Sequence, residues 1–144
     1  MATMLRISEA ASLAIHAMAL IARESEKVHS THGLATTLGV SEAHLSKVMQ
    51  RLTRAGLVSS VRGPKGGFVI ARGAGDIRLL EVFEAIEGHL ELKGCLLRKP
   101  ICNGTDCVLG QLLGNVNREM QDYLGNTRLS DICRKQEPPH EATA

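Results

Sequence analysis

Residues Ser41–Ala71, SEAHLSKVMQRLTRAGLVSSVRGPKGGFVIA, decide the fold. Ser41 stands directly before an apolar period, where a side-chain oxygen can accept from the unpaired amides of a first helical turn. Leu45, Val48, Met49 and Leu52 then recur at three- and four-residue spacing, the buried stripe of an amphipathic helix, until Gly56 ends it. After Gly56 the period changes to two. Leu57-Val58-Ser59-Ser60-Val61-Arg62 reads as a strand, Gly63-Pro64-Lys65-Gly66-Gly67 as a turn, and Phe68-Val69-Ile70-Ala71 as the returning strand. A hairpin with a glycine-rich, basic tip directly after such a helix is the pattern of a wing.

Working outward, Thr31/His32 to Leu38 is short and apolar enough for one helix, with Gly39 in the position that closes it. Two short helices joined at Gly39-Val40-Ser41 make a helix-turn-helix, the second in the recognition position. Ala10, Leu13, Ala14, Ala17, Met18 and Ile21 form the stripe of an earlier helix that Ser8 can cap, and polar Ser25 to His32 connects it to the next. Downstream, Arg72-Gly73-Ala74-Gly75 breaks the chain and Asp76 is placed to cap a helix over Ile77–Glu87. Residues Gly88–Thr105 have little periodicity. Val108, Leu109, Leu112, Leu113, Val116, Met120, Tyr123 and Leu124 then run as one stripe for almost five turns, more apolar face than so small a chain can bury alone. This is the expected dimerisation helix. Asn126–Ile132 adds a last short element. The expected fold is mostly α with a small β-hairpin: a winged helix-turn-helix domain over 1–75, a cysteine loop and long dimerisation helix over 76–133, and a disordered tail over 134–144.

Composition supports that division. The 144 residues suffice for one ordinary domain, and with no Trp, one Tyr and two Phe the core falls to Leu, Ile, Val, Ala and Met. Residues 1–72 carry nine Lys/Arg against four Asp/Glu, a balance of +5, whereas residues 73–144 carry eight against eleven, a balance of −3. A basic front half suits a polyanion, here double-stranded DNA, and the back half is left for other work. No apolar run approaches the roughly 20 residues of a membrane span, and Met1–Ala10 has no secretory pattern. A cytoplasmic protein with reduced thiols is expected.

Cys95, Cys102 and Cys107 lie in the aperiodic stretch, with six and then four residues between them. Structural zinc prefers two ligand pairs with two to four residues between the members of each, and of the cysteines only Cys102 and Cys107 make such a pair here. Wide, irregular spacing suits thiolates that converge on the different irons of an iron–sulfur cluster. A thiol–disulfide or zinc switch without a cluster stays open. An enzyme does not, because no nucleophile or acid–base pair has an orienting partner in the pattern.

The winged segment, the wing string VRGPKGGF, the helix EVFEAIEG, the three-cysteine loop and the closing Thr127–Ile132 together resemble the winged-helix iron–sulfur regulators of the IscR, NsrR and RirA type over all but the tail. The resemblance implies a homodimeric bacterial transcription regulator with a 2Fe–2S or 4Fe–4S cluster whose state changes binding to a pseudo-palindromic operator. A recognition helix offers its N-terminal and outward side chains to base edges, which makes Ser41, Glu42, His44, Ser46, Lys47 and Arg51 the candidates, with Arg54 nearer phosphate or solvent. Lys65 lies at the wing tip. Arg62 matches the family's wing arginine that enters the minor groove. Ser46 stands where some IscR proteins carry a glutamate that helps select sites, so their operators do not transfer. Cys95, Cys102 and Cys107 match the cluster ligands, although the family spaces its cysteines evenly. Gly110 stands where IscR-like proteins place a histidine ligand. The first helix of a second subunit supplies a ligand in other relatives, and His16 matches such a histidine, while Ser12 aligns with a carboxylate ligand elsewhere. His16 can equally be a helix-flank residue that hydrogen-bonds locally. His89 and Glu91 lie near the loop, and Cys133 reads as an idle thiol.

Overall fold

A computed structural model of the chain describes residues 7–90, 95–102 and 107–135. Helix α1 spans Glu9–Arg23, α2 Thr31–Leu38 and α3 Glu42–Arg54. Strands β1, Val58–Val61, and β2, Gly67–Ile70, follow, then a single 3-10 turn at Ala74–Asp76. Helices α4, Leu79–Glu87, α5, Val108–Asn126, and α6, Leu129–Lys135, complete the order. The winged helix-turn-helix is present as the sequence indicates.

Local chemistry sets the helix boundaries. The hydroxyls of Ser8, Ser30 and Ser41 each accept a backbone amide from the first turn behind them, from Ala11, Gly33 and His44 at 3.0, 3.0 and 3.1 Å. Gly39 closes α2 at φ 68°, a left-handed conformation that glycine adopts without cost. Leu45, Val48, Met49 and Leu52 are all buried, as the α3 period requires.

The hairpin pairs Val58 with Ile70 through Val61 with Gly67 in antiparallel register. A third partner, not foreseen in the connection after α1, is His29: its amide donates to Phe68 O at 2.9 Å and its carbonyl accepts from Phe68 N at 2.8 Å. Gly67 is required at this crossing, since a Cβ there would lie 2.1 Å from the His29 carbonyl oxygen. The wing is therefore clamped to the α1–α2 connection by backbone.

The start of α4 corrects the expectation. Asp76 does not cap a helix beginning at Ile77, because Ile77 is extended, fully buried, and accepts from Leu129 N at 2.8 Å, while Leu79 N donates to Thr127 O at 2.9 Å. This short bridge consumes the backbone a longer helix would have used. The α4 helix begins two residues later, where Glu81 accepts the Arg78 amide at 3.0 Å and receives the Arg72 guanidinium at 2.7 Å. Burial pushes the Glu81 carboxyl up, but the Arg78 amide and the Arg72 charge outweigh it and hold it below its ordinary value.

Leu13, Met18 and Ile21 of α1 share one cluster with Leu45 and Met49 of α3, Val82 and Phe83 of α4, Leu124 of α5 and Leu129 at the head of α6. The core thus continues across residue 75. Helix α5 joins it only partly. At 100° per residue its apolar stripe covers roughly 120°. One edge, Leu113, Met120 and Leu124, is half-buried or buried, whereas Leu109, Leu112, Val116 and Tyr123 on the other are 49, 52, 41 and 59% exposed. Helix α6 runs through Lys135, so the tail expected over 134–144 begins with two helical residues, and its remainder, 136–144, lies outside the described residues. No helix among the described residues is long and apolar enough to cross a membrane.

Candidate nucleic-acid interface and cysteine centre

The buried stripe of α3 fixes what the helix turns outward. At 100° per residue, Ala43, Lys47, Gln50 and Arg54 lie opposite Leu45, Val48, Met49 and Leu52. Ser41, Glu42 and Lys47 are exposed, and His44 and Ser46 are half-buried on the flanks. Gln50, at the centre of the outward row, was not among the sequence candidates, yet the same periodicity that identifies the core identifies it. Its amide can donate to and accept from one adenine edge. Glu42 is held by His32 of α2, Nδ1 to Oε1 at 2.6 Å.

Arg51 is placed differently from its neighbours. Its Nη1 donates to the carbonyl of Ile86 in the last turn of α4 at 2.9 Å, so this side chain is engaged within the chain. Arg62 and Lys65 are exposed on the wing. Between the wing tip and the α1–α2 connection lies a cleft of about 530 Å³ lined by Arg23, Lys27, His29 and Lys65 alongside Glu24. Lys27 pairs with Glu24 at 2.9 Å, and that contact keeps the exposed Glu24 carboxyl below its ordinary value. Cations thus extend the basic surface from α3 around the wing, and Lys27 is a second residue the sequence reading passed over.

The cysteines are free thiols: Cys95 and Cys107 are half-buried and Cys102 is exposed. Cys107 stands at the N-cap position of α5 and makes no side-chain cap bond, so its sulfur is not used to finish the helix. Leu96, Leu97 and Ile101 between the first two are 70, 52 and 89% exposed. Among the described residues, no three His, Cys, Asp or Glu side chains are gathered closely enough to hold a metal ion. Three soft, uncommitted thiols are the donor chemistry an iron–sulfur cluster takes, but this single chain does not converge them.

His16 is exposed on α1, with Nδ1 2.7 Å from the Ser12 carbonyl. A carbonyl only accepts, so Nδ1 carries the proton in this contact and Nε2 of a neutral ring is left with its lone pair outward. That is the orientation metal-ligating histidines commonly have, although the same bond is also the local contact an ordinary helix-flank histidine makes. His89 pairs with Glu84 at 3.1 Å, and Glu91 lies outside the described residues. Cys133 is half-buried on α6, donates to Ala19 O at 3.7 Å, and burial raises its thiol against a smaller opposing effect of Arg23.

The model of the Rrf2 family, described as an iron-dependent transcriptional regulator, matches residues 7–135. The chain is 32% identical over 99 residues to the HTH-type transcriptional regulator IscR of Xenorhabdus nematophila, which covers 69% of this chain and 60% of that protein. Among solved structures it is similar to T. potens IscR, with a TM-score of 0.77, 26% identity and coverage of 98% of this chain and 95% of the other. It is also similar to CymR (YrzC), described as the global cysteine regulator of B. subtilis, with a TM-score of 0.76, 25% identity and coverage of 93% of this chain and 100% of that one. The chain spans about 60 to 65% of the length of the first curated relatives it matches.

Proposed function

The chain belongs to the Rrf2 family of transcription regulators, and from that premise we propose that it is a homodimeric DNA-binding regulator that senses iron, nitric oxide, oxygen or redox state through an iron–sulfur cluster. The observation that carries the DNA half is the coincidence of an outward α3 row with the basic wing: Lys47, Gln50 and Arg54 on one, Arg62 and Lys65 on the other. Two copies would set their α3 helices in successive major grooves of a pseudo-palindromic duplex, with Ser41, His44 and Ser46 at the entering end of each helix. Lys47 and Arg54 would meet phosphates or bases, and Arg62 and Lys65 would approach the minor groove or backbone beside it. Residues 1–75 supply the reading half and 76–133 the sensing and pairing half.

The bare edge of α5 supports the dimer. Leu109, Leu112, Val116 and Tyr123 present a continuous apolar face that another copy of the same helix can cover. Cys95, Cys102 and Cys107 would hold the cluster, with His16 from a second copy as the fourth ligand through Nε2. The cluster would supply a redox- and iron-sensitive charge centre between the subunits. His16 of a second copy would place it beside that copy's α1.

A second reading uses the same three thiols directly, as a thiol–disulfide or zinc switch. The likeness to a protein described as a cysteine regulator favours it. Anaerobic purification separates the two. A brown protein with visible charge-transfer absorption, bleached when Cys95, Cys102 and Cys107 are replaced by Ala, supports the cluster. A colourless chain with stoichiometric zinc, or one whose thiols pair reversibly and without iron, supports the second reading.

A further inference from the structure

We propose that Arg51 is a positioning residue that couples the cysteine segment to the recognition helix through the last turn of α4, an inference that rests on the sensing function above. The bond from Arg51 Nη1 to Ile86 O, 2.9 Å long, joins a full charge to a carbonyl at a helix C-terminus, where cations are favoured. Ile86 is buried and Gly88 ends the helix at φ 82°, so this turn is a defined stop. The chain leaving it is held to the same turn. Glu84 Oε1 accepts from Leu90 N at 3.3 Å and pairs with His89 Nδ1 at 3.1 Å. Glu87 is also bonded to the hydroxyl of Ser8, the residue that caps α1.

Three parts of the molecule therefore meet within Glu84–Leu90: the recognition helix through Arg51, the start of α1 through Ser8, and the chain on its way to Cys95, five positions beyond Leu90. A shallow cleft of about 500 Å³ lies between Arg51 and Arg54 on one side and Glu84–Gly88 on the other. Arg51 lies on the α3 flank, beside the outward row rather than in it, so making or breaking its bond changes how α3 is set without removing a base contact. Any rearrangement of the cysteine segment pulls first on His89 and Leu90, then on the turn that Arg51 grips. Coupling of this kind is reciprocal and spans roughly 5- to 150-fold in affinity.

The test uses the full chain and a duplex selected by it from a random library. DNA affinity is measured before and after anaerobic reconstitution with ferrous iron and sulfide, for the wild type, Arg51→Gln and Arg51→Lys. Hydrogen exchange is followed over 42–54 and 84–90 in both forms. Arg51→Gln is expected to bring the two affinities within about twofold of each other while the visible spectrum is unchanged, and Arg51→Lys to keep most of the wild-type ratio. In the wild type both segments should change exchange together; in Arg51→Gln only 84–90 should respond. An unchanged ratio in Arg51→Gln, or an equal loss of affinity in both forms, overturns the coupling and leaves the sensing function standing. A wild type whose affinity ignores reconstitution overturns the sensing function and the coupling with it. Should Arg51→Gln fail to fold, independent exchange of the two segments in the wild type overturns the proposal, and joint exchange with a retained ratio in Arg51→Lys supports it.

Discussion

The winged region and the cysteine-bearing region follow different rules. Between Ser8 and Ile70 each helix start has its serine cap, the α3 stripe is fully buried, and the wing is tied to His29 by two backbone bonds. Beyond Glu87, the thiols have no shared partner among the described residues and half of an apolar stripe is bare. The first region is closed by contacts within its own chain, whereas the second leaves an apolar edge uncovered among the described residues. A protein that must hold one surface constant while another responds is expected to divide its stability in this way.

Five substitutions would break or sharpen that contrast. The largest effect is expected from Leu52→Ala, which empties a fully buried site in α3 and should cost about 2–5 kcal/mol. In α5, Leu112→Ala at a half-exposed site should leave the single-chain fold intact and weaken self-association instead. Denaturant melts and sedimentation over a concentration series distinguish the two, and equal losses of fold stability would erase the difference between regions. Next is Gly67→Ala, whose new methyl meets the His29 carbonyl; strain of about 1–3 kcal/mol should appear as a lower melting temperature together with weaker DNA binding.

Gly114→Ala makes the opposite test. A Cβ there meets nothing within 4 Å, and replacing a mid-helix glycine should stabilise α5 by about 0.5–1 kcal/mol. A destabilised dimer would show instead that this glycine is needed for close approach of a second copy. The smallest effect is expected from Glu81→Gln. Because the folded carboxyl is held below its ordinary value, its stabilisation is present above the unfolded value and lost as pH falls through the folded one. The variant should match the wild type in acid and be weaker at neutral pH by no more than about 0.5 kcal/mol, since the ion pair is well exposed. Melting temperatures across pH 3 to 7, an interval of about four units around ordinary carboxylate values, measure it.

What the sequence discloses divides at the same place. Caps and periods are local, so Ser8, Ser41, Gly39 and the Leu45–Leu52 stripe could be read directly. The misplaced start of α4 and the unforeseen strand partner at His29 have one cause. Both depend on backbone pairing across long separations, Ile77 with Leu129 and His29 with Phe68, and pairing of that kind leaves no periodic trace. Arg51 shows the limit for side chains, because being basic on the recognition helix does not reveal that Ile86 is within its reach. For Cys95, Cys102 and Cys107 the residue types name three thiol donors, but loop spacing without period does not encode where the sulfurs lie.

The Ile77–Leu129 pairing has a consequence for how such a chain can vary. Because the backbone leaves this bridge at α4 and comes back to it after α5, residues 79–127 form a closed excursion whose two ends are fixed side by side. Adding or removing residues within such an excursion changes its closure entropy only slowly, by about 0.6 kcal/mol per doubling of a flexible loop. The stretch between Gly88 and Cys107, with its six and four residues between thiols, can therefore change length while Ile77 and Leu129 stay paired.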